Sequence, residues 1–329
     1  MAVRKVEEEI EQLSLLREAP PAEALAALRK ALRDRVNLMV AKAAKIAAER
    51  RFVELIPDLL RAFDRFFEDA AKRDPQCWGK NAIAAALKDL EHRESAAFLR
   101  GARHIQMEPV WGGQEDTAQT LRGICLLALV ACVDISRSDV LRCVVDTLVE
   151  RSQTIRLDAV RALAQMGGDE AALVLRLKAH VGDEEPAVTG QVFDALLALD
   201  GAQAIPLLGA LLNTNEPTTR EEAALALGGS RLPAAIDCLR EAWGATRDQQ
   251  FREVLLRALS ASRQEQALDF LLSLVRDGRL RDAEAALAAL ALHRDSEPVR
   301  KQAEAAANSR ERELQQRFHQ WFGNRPSVR

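Results

Sequence analysis

Tyrosine is missing from this 329-residue chain, and the aromatics together make up only 4% of it. Alanine, leucine, arginine and glutamate dominate instead, a composition that disfavours strands and favours helix by intrinsic propensity. Neither sign of charge is in clear excess, with 46 lysines and arginines against 49 acidic residues. There is thus no global electrostatic reason to bind nucleic acid or an anionic membrane, and neither is expected as a partner. The five cysteines, Cys77, Cys125, Cys132, Cys143 and Cys238, contain no CxxC pair. Three sit among aliphatic residues, where a free thiol behaves as a small hydrophobe, which fits a reducing compartment. The five histidines, His92, His104, His180, His293 and His319, form no H-E-x-x-H and no Cys-His cluster, so no metal site has the expected ligand spacing. No glycine-rich loop runs into a lysine, which leaves nucleotide binding unsupported, and no cofactor is expected. The longest apolar run, GICLLALVACV at 123–133, falls far short of the roughly 20 residues that span a bilayer and reads as a buried helix. MAVRKVEEEIEQ has charges in place of an apolar segment, so it is not read as a secretory signal, and the expected location is the cytoplasm.

What the sequence does have is a repeat. The segments LRGICLLAL (121–129), IRLDAVRAL (155–163), VTGQVFDAL (188–196), TREEAALAL (219–227) and FREVLLRAL (251–259) share one pattern. Their closing residues Leu129, Leu163, Leu196, Leu227 and Leu259 are spaced by 34, 33, 31 and 32, and Leu290 follows after 31. Between them lie DEAALVLRLKAHV, AIPLLGALLN, PAAIDCLREAW and QALDFLLSLV, apolar at helical spacing as well, so each repeat holds two helices. Turns such as MGGDE (166–170), LDGAQ (199–203) and GGSRLP (228–233) follow the second helix. GDEEP (182–186) and NEPTT (215–219) put acidic residues and proline before the next, the favoured start signals. GGDEA at 167–171 is accordingly an inter-helix turn, despite its likeness to a cyclic-dinucleotide synthase signature.

The Arg-x-x-Ala-x-x-Ala-Leu core, clearest at Arg156, Ala159, Ala162 and Leu163, together with the acidic-proline turn before it, resembles the HEAT-repeat family. It resembles in particular the short bacterial HEAT-like repeats also found in phycobilisome lyase-type proteins. The resemblance covers about 37–290 and implies an all-α fold: a right-handed α-solenoid of stacked antiparallel helical hairpins. It also implies a binding surface more than a named chemistry. Arg122, Arg156, Arg220 and Arg252 are expected at equivalent positions, paired with acidic residues of a neighbouring turn, whereas Thr189 interrupts the series and the helix at 279–292 lacks the arginine.

Two earlier segments, LMVAKAAKIA (38–47) and WGKNAIAAA (78–86), fit the pattern loosely and at longer spacing. Their extra residues fall in the turn inside the hairpin, FFEDAAKRDPQCWGKN (66–81) and HIQMEPVWGGQEDTAQ (104–119), each with proline, tryptophan and glycine. A solenoid aligns equivalent turns along one edge, so Trp78 and Trp111 are expected to be neighbours. Pro109 stops the preceding helix, and Gly112 and Gly113 allow a projecting loop with Trp111 at its tip. One outcome is that both tryptophans fold inward and cap the seam; the other is a recognition edge. The polar residues around these turns, Lys80, Asn81, Arg100, Arg103, His104, Glu108, Glu115, Asp116 and Arg122, suit a protein or peptide partner if they face outward. Acid-base work by His104 with Asp116 is the only catalytic arrangement they admit.

Residues 1–36 hold two short helical patterns and 293–329 a charged one ending in Leu314, Phe318, Trp321 and Phe322 on one face; both read as caps of the central repeats 37–292, the last also as a detachable helix. The expected function is a non-catalytic protein-binding scaffold, its candidate residues Trp78, Lys80, Asn81, Arg103, His104, Trp111, Gly112, Gly113, Asp116, Arg122 and Arg156. The alternatives are a nucleic-acid-binding helical repeat like that of DNA glycosylases, or a lyase-type chaperone for a chromophore or prosthetic group.

Overall fold

The repeated segments are apolar at positions 5, 6, 8 and 9 and, except for Thr219 in TREEAALAL, at position 1, which a 3.6-residue turn gathers on one face. In the computed structural model, which describes residues 2–323 and side chains from Glu8 onward, those positions are buried: Leu121, Cys125, Leu126, Ala128 and Leu129 in one segment, Phe251, Leu255, Leu256, Ala258 and Leu259 in another. The chain packs as two compact units, Met1–Met166 and Gly167–Arg329. The first contains α1 (Ala2–Ser14), α2 (Pro21–Ala31), α3 (Asn37–Glu49), α4 (Ile56–Arg65), α5 (Ala70–Arg73), α6 (Trp78–Asp89), α7 (Ser95–Ala102), a hairpin of β1 (Met107–Val110) and β2 (Gly113–Asp116), α8 (Gln119–Leu129), α9 (Arg137–Thr147) and α10 (Gln153–Met166). The second contains α11 (Gly168–Val181), α12 (Pro186–Asp200), α13 (Ile205–Leu211), α14 (Pro217–Gly229), α15 (Pro233–Ala245), α16 (Gln249–Ala261), α17 (Glu265–Asp277), α18 (Leu280–Leu290), α19 (Glu297–Asn308) and α20 (Arg312–Phe322).

Each unit is an α-solenoid of helical hairpins. In the first, α3, α6, α8 and α10 pack in sequence as one row, with α2, α4, α7 and α9 as their hairpin partners. In the second, α12, α14, α16, α18 and α20 form the corresponding row. The apolar face of α20, Leu314, Phe318 and Phe322, is buried against α18 and α19, and Phe318 stacks on Phe322 at 4.7 Å between centroids. The row helices come close because their eighth pattern position is small: Ala128, Ala162, Ala195, Ala226, Ala258 and Ala289 are all buried. At Gly228 even a methyl group is too much, since a Cβ there would fall on the main-chain carbonyl of Ala258 in α16. The stretch Pro186–Leu211 is apolar and long enough by composition to cross a bilayer, more so than the run at 123–133. It is not one rod, for Gly201 at φ 56° ends α12 and a 3-10 turn separates it from α13.

Arginines join successive repeats. The arginine that opens a row helix reaches a carboxylate at or just before the start of the row helix one repeat on: Arg122 meets Glu150 at 2.7 Å, Arg220 meets Asp248, and Arg252 meets Asp282 in the first turn of α18 at 3.1 Å. Two of these side chains also donate backward, Arg122 to the His104 carbonyl (2.9 Å) and Arg252 to the Trp243 carbonyl in the last turn of α15 (3.2 Å). Arg156 makes the backward contact too, to the carbonyls of Glu150 and Arg151, both at 2.8 Å. Elsewhere guanidinium groups cap helix ends. Arg50 donates to the carbonyls of Leu16, Arg17 and Ala19, Arg65 to those of Leu32 and Asp34, and Arg310 to those of Val275, Arg276 and Gly278. Carbonyls at a helix C-terminus lack intrahelical donors and carry the negative end of the dipole, so a cation there satisfies both needs.

The close approach at Gly228 makes a paired prediction. Gly228→Ala should destabilise the chain by about 1–3 kcal/mol through overpacking. Gly229→Ala, with open space at its Cβ, should be neutral or stabilise by up to about 1 kcal/mol through helix propensity. Denaturant unfolding of the two variants checks the contrast.

Candidate functional site

The two long turns of the first unit pack on each other. Segment 66–81 winds through left-handed backbone at Asp69 (φ 50°), Gln76 (φ 58°) and Cys77 (φ 55°), conformations that few non-glycine residues adopt without outside support. Asp74 supplies that support. Its Oδ1 accepts from the amide of Gly79 (2.7 Å) and from Asn37 Nδ2 (2.9 Å), and its Oδ2 from the amide of Lys80 (2.9 Å), so it caps the first turn of α6. Lys80 Nζ lies 3.0 Å from the same carboxylate and donates to the Phe66 carbonyl at 3.2 Å. Both side chains of this ion pair are fully buried.

The projecting loop expected at the second turn is built as a pair of strands. Residues 107–116 form an antiparallel hairpin pairing Met107 with Asp116, Glu108 with Glu115, Pro109 with Gln114 and Val110 with Gly113. Gly112 takes φ 93° at the third turn position, where a tight turn of this kind demands positive φ. The Thr117 amide donates to the Gln106 carbonyl at 2.9 Å. By antiparallel alternation, the pairs bonded to each other are then 108 with 115 and 110 with 113. Pro109 falls at an outward position, where no ladder bond is lost.

A buried polar network fastens the hairpin base. Glu108 Oε1 accepts from Gln106 Nε2, from Thr117 Oγ1 (2.7 Å) and from the Gln76 amide (2.7 Å), while Gln106 Nε2 also donates to the Asp74 carbonyl (2.9 Å). Burial pushes the Glu108 carboxyl up, but the donors from Gln106, Thr117 and Gln76 outweigh it and leave the group below its ordinary value. Asp116 accepts from the amides of Gln106 (3.0 Å) and Ala118 (3.1 Å) and from Arg122 Nη1 (2.6 Å). Against the opposing effect of burial, these donors hold its carboxyl low. Arg122 in turn grips Glu150 through Nε and Nη2, and those two carboxylates raise its guanidinium pKa despite burial.

This network redistributes the candidate residues. Lys80, Arg122 and Arg156 are buried, so they hold the fold and do not present charge to a partner. The pairing of His104 with Asp116 is not made: His104 Nε2 bonds Gln106 Oε1 at 3.1 Å, and Asp116 is taken by Arg122. Burial and the charges of Lys80 and Arg100 lower the His104 pKa, and its ring stands edge-on to Phe67 at 4.8 Å. Arg103 opens on a different cleft, of about 390 Å³, with Leu99, Asp139, Arg142 and Glu150. Burial pushes the Cys77 thiol up to about 11 and raises that of Cys125 too, so neither is a thiolate at neutral pH. Among the described residues, no group of three or more histidines, cysteines and carboxylates is placed to hold a metal.

The inward-folding outcome for the tryptophans is overturned. Trp111 is 105% exposed at the hairpin tip, and Trp78 is 48% exposed at the start of α6. Ile105, Met107 and Val110 are exposed beside them, while Gly112 and Gly113 have open space around their Cα atoms. Between the hairpin and the first turns of α6 and α8 lies a polar cleft of about 350 Å³. It is lined by Gln76, Trp78, Asn81, Glu108, Pro109, Val110, Glu115, Asp116, Thr117, Gln119 and Thr120. Trp111 is not part of that lining, so the two indoles serve different surfaces. The larger depression on this unit, about 890 Å³ over α3 and α6, has an alanine floor and a rim of mixed charge.

A family model described as HEAT repeats matches residues 173–260 and 217–291. No curated protein sequence matches the chain. Among solved structures it is similar to human deoxyhypusine hydroxylase in complex with glycerol, at 22% identity over 77% of this chain and 89% of that one, with a TM-score of 0.31.

Two predictions follow from the buried network. Lys80→Met should cost about 3–5 kcal/mol, because it leaves the Asp74 carboxylate buried without its cation; denaturant unfolding measures this. Glu108 and Asp116 have lowered folded pKa values, so their contribution is complete above the unfolded carboxyl range near pH 4 and is lost as pH falls through the folded values. Amide exchange at 104–118 should accelerate on acidification. Glu108→Gln should blunt that response and cost about 1–3 kcal/mol at neutral pH.

Proposed function

We propose that this chain, whose residues 173–291 are HEAT repeats, is a non-catalytic scaffold that binds a protein through the hairpin edge of its first unit. The observation that carries the reading is Trp111, a large indole held wholly in solvent on a two-residue turn. An indole left at a loop tip forgoes the burial that usually draws large aromatics inward, and aromatic anchors on rigid supports are where binding energy concentrates. Ile105, Met107 and Val110 are exposed apolar side chains on or beside the same hairpin, and exposed apolar surface of this kind marks interaction sites. The network beneath, from Asp74 through Gln106 and Glu108 to Asp116 and Arg122, fixes the hairpin before a partner arrives, so little ordering entropy opposes association.

The support for a protein partner is the chemistry around the hairpin: the exposed Trp111 at its tip and, in the cleft at its side, the Trp78 indole and Val110 beside neutral polar and acidic groups. Phosphate recognition instead needs exposed lysine or arginine, and the cations nearest this network, Lys80 and Arg122, are buried on carboxylates.

Trp111→Ala separates binding from folding. It should leave stability within about 0.5 kcal/mol, as for a surface change, and reduce capture of the cellular partner at least about tenfold in a quantitative pull-down. Unchanged capture with unchanged melting would sink the proposal.

A further inference from the structure

We infer that the cleft beside the hairpin is a socket for a lysine or arginine side chain carried on an extended segment of the partner protein. This rests on the reading of the hairpin as a binding edge and names what the edge takes. Glu108, Glu115 and Asp116 line the cleft with the indole of Trp78, and no basic side chain does. The hairpin register places Glu108 directly opposite Glu115. Like charges at facing positions of a strand pair are destabilising unless a cation lies between them. Glu108 accepts its three internal donors on Oε1, whereas the exposed side chain of Glu115 makes no hydrogen bond or ion pair among the described residues. Asn81, also in the wall, has a buried side-chain oxygen with no hydrogen-bond partner.

These groups ask for one kind of visitor. An ammonium or guanidinium group carries donors and no acceptor, so it can satisfy the Asn81 oxygen and the Glu115 carboxylate together while lying against an indole face. An anion would meet three carboxylates, and an aliphatic side chain would leave the Asn81 oxygen orphaned. The main chain argues for an extended carrier. β2 is an edge strand, and the alternation that bonds 108 to 115 turns the amide and carbonyl of Gln114 outward. Pro109 has no amide hydrogen to offer on the opposite edge. An added strand can therefore pair along β2 and deliver alternate side chains toward the cleft.

The test uses the full chain and two fluorescein-labelled peptides, Thr-Val-Arg-Val-Thr and Thr-Val-Glu-Val-Thr, titrated to about 1 mM since short flexible ligands bind weakly. The arginine peptide should bind, more weakly as salt rises, and the glutamate peptide should not. Glu115→Lys, a change at an exposed residue that should leave melting unaltered, should weaken the arginine peptide at least about tenfold. Equal binding of the two peptides, no binding of the arginine peptide, or indifference to Glu115→Lys would overturn the inference. The hairpin reading fails separately: if Trp111→Ala abolishes partner capture while the arginine peptide does not bind, the edge stands and the cationic socket falls.

Discussion

The structure depends on where its arginines donate. A guanidinium group offers five N–H donors in a planar fork and stays charged, so one side chain can bridge a carboxylate and a main-chain carbonyl that lie on different elements. Arg122, Arg220 and Arg252 each link the start of one row helix to a carboxylate at or just before the start of the next. Arg50, Arg65 and Arg310 close helix ends that would otherwise leave carbonyls without donors. In a repeat fold, stability is set by nearest-neighbour interfaces, and these contacts lie at those interfaces, on the rim of an apolar core built from alanine and leucine.

Arg122 carries an additional load. It is the member of the series whose backward contact falls on a β-hairpin instead of a short turn, and its bonds to Asp116 and the His104 carbonyl tie that hairpin to α8. Asp74 and Lys80 perform the equivalent task for the turn beneath. A hairpin of four residues a side has little stability by itself; its order comes from this buried network. That order lets Trp111 stand in solvent at a defined position, and it leaves Glu115 and Asn81 facing a cleft with their hydrogen-bonding capacity unused.

The helical pairs and the arginine series could be read directly because both are periodic. Burial at positions 5, 6, 8 and 9 recurs from repeat to repeat, and Arg122, Arg220 and Arg252 have the acidic partners that a repeating geometry requires. The insertions obey no period and were read from residue type alone. Proline, tryptophan and two glycines signal a turn, but Met-Glu-Pro-Val and Gly-Gln-Glu-Asp are too short and too polar to announce strands. Lys80 looks like a surface charge in sequence, and the burial of Arg122 is not legible from its place in the arginine series, since lysine and arginine are rarely buried. Their partners Asp74, Asp116 and Glu150 lie 6 to 28 residues away along the chain.

The sequence by itself determined the all-α hairpin repeat, because a 3.6-residue period of small and aliphatic side chains has one way to bury its face, and the recurrence near 32 residues stacks the copies. Tertiary structure decided which charges are internal and which aromatics are not. That choice rests on hydrogen bonds between segments that converge only once the repeats have stacked: Asp74 under Gln106, Glu108 against Gln76, Arg122 between Asp116 and Glu150. Those bonds hold the hairpin that carries the indole of Trp111 at its tip, in solvent.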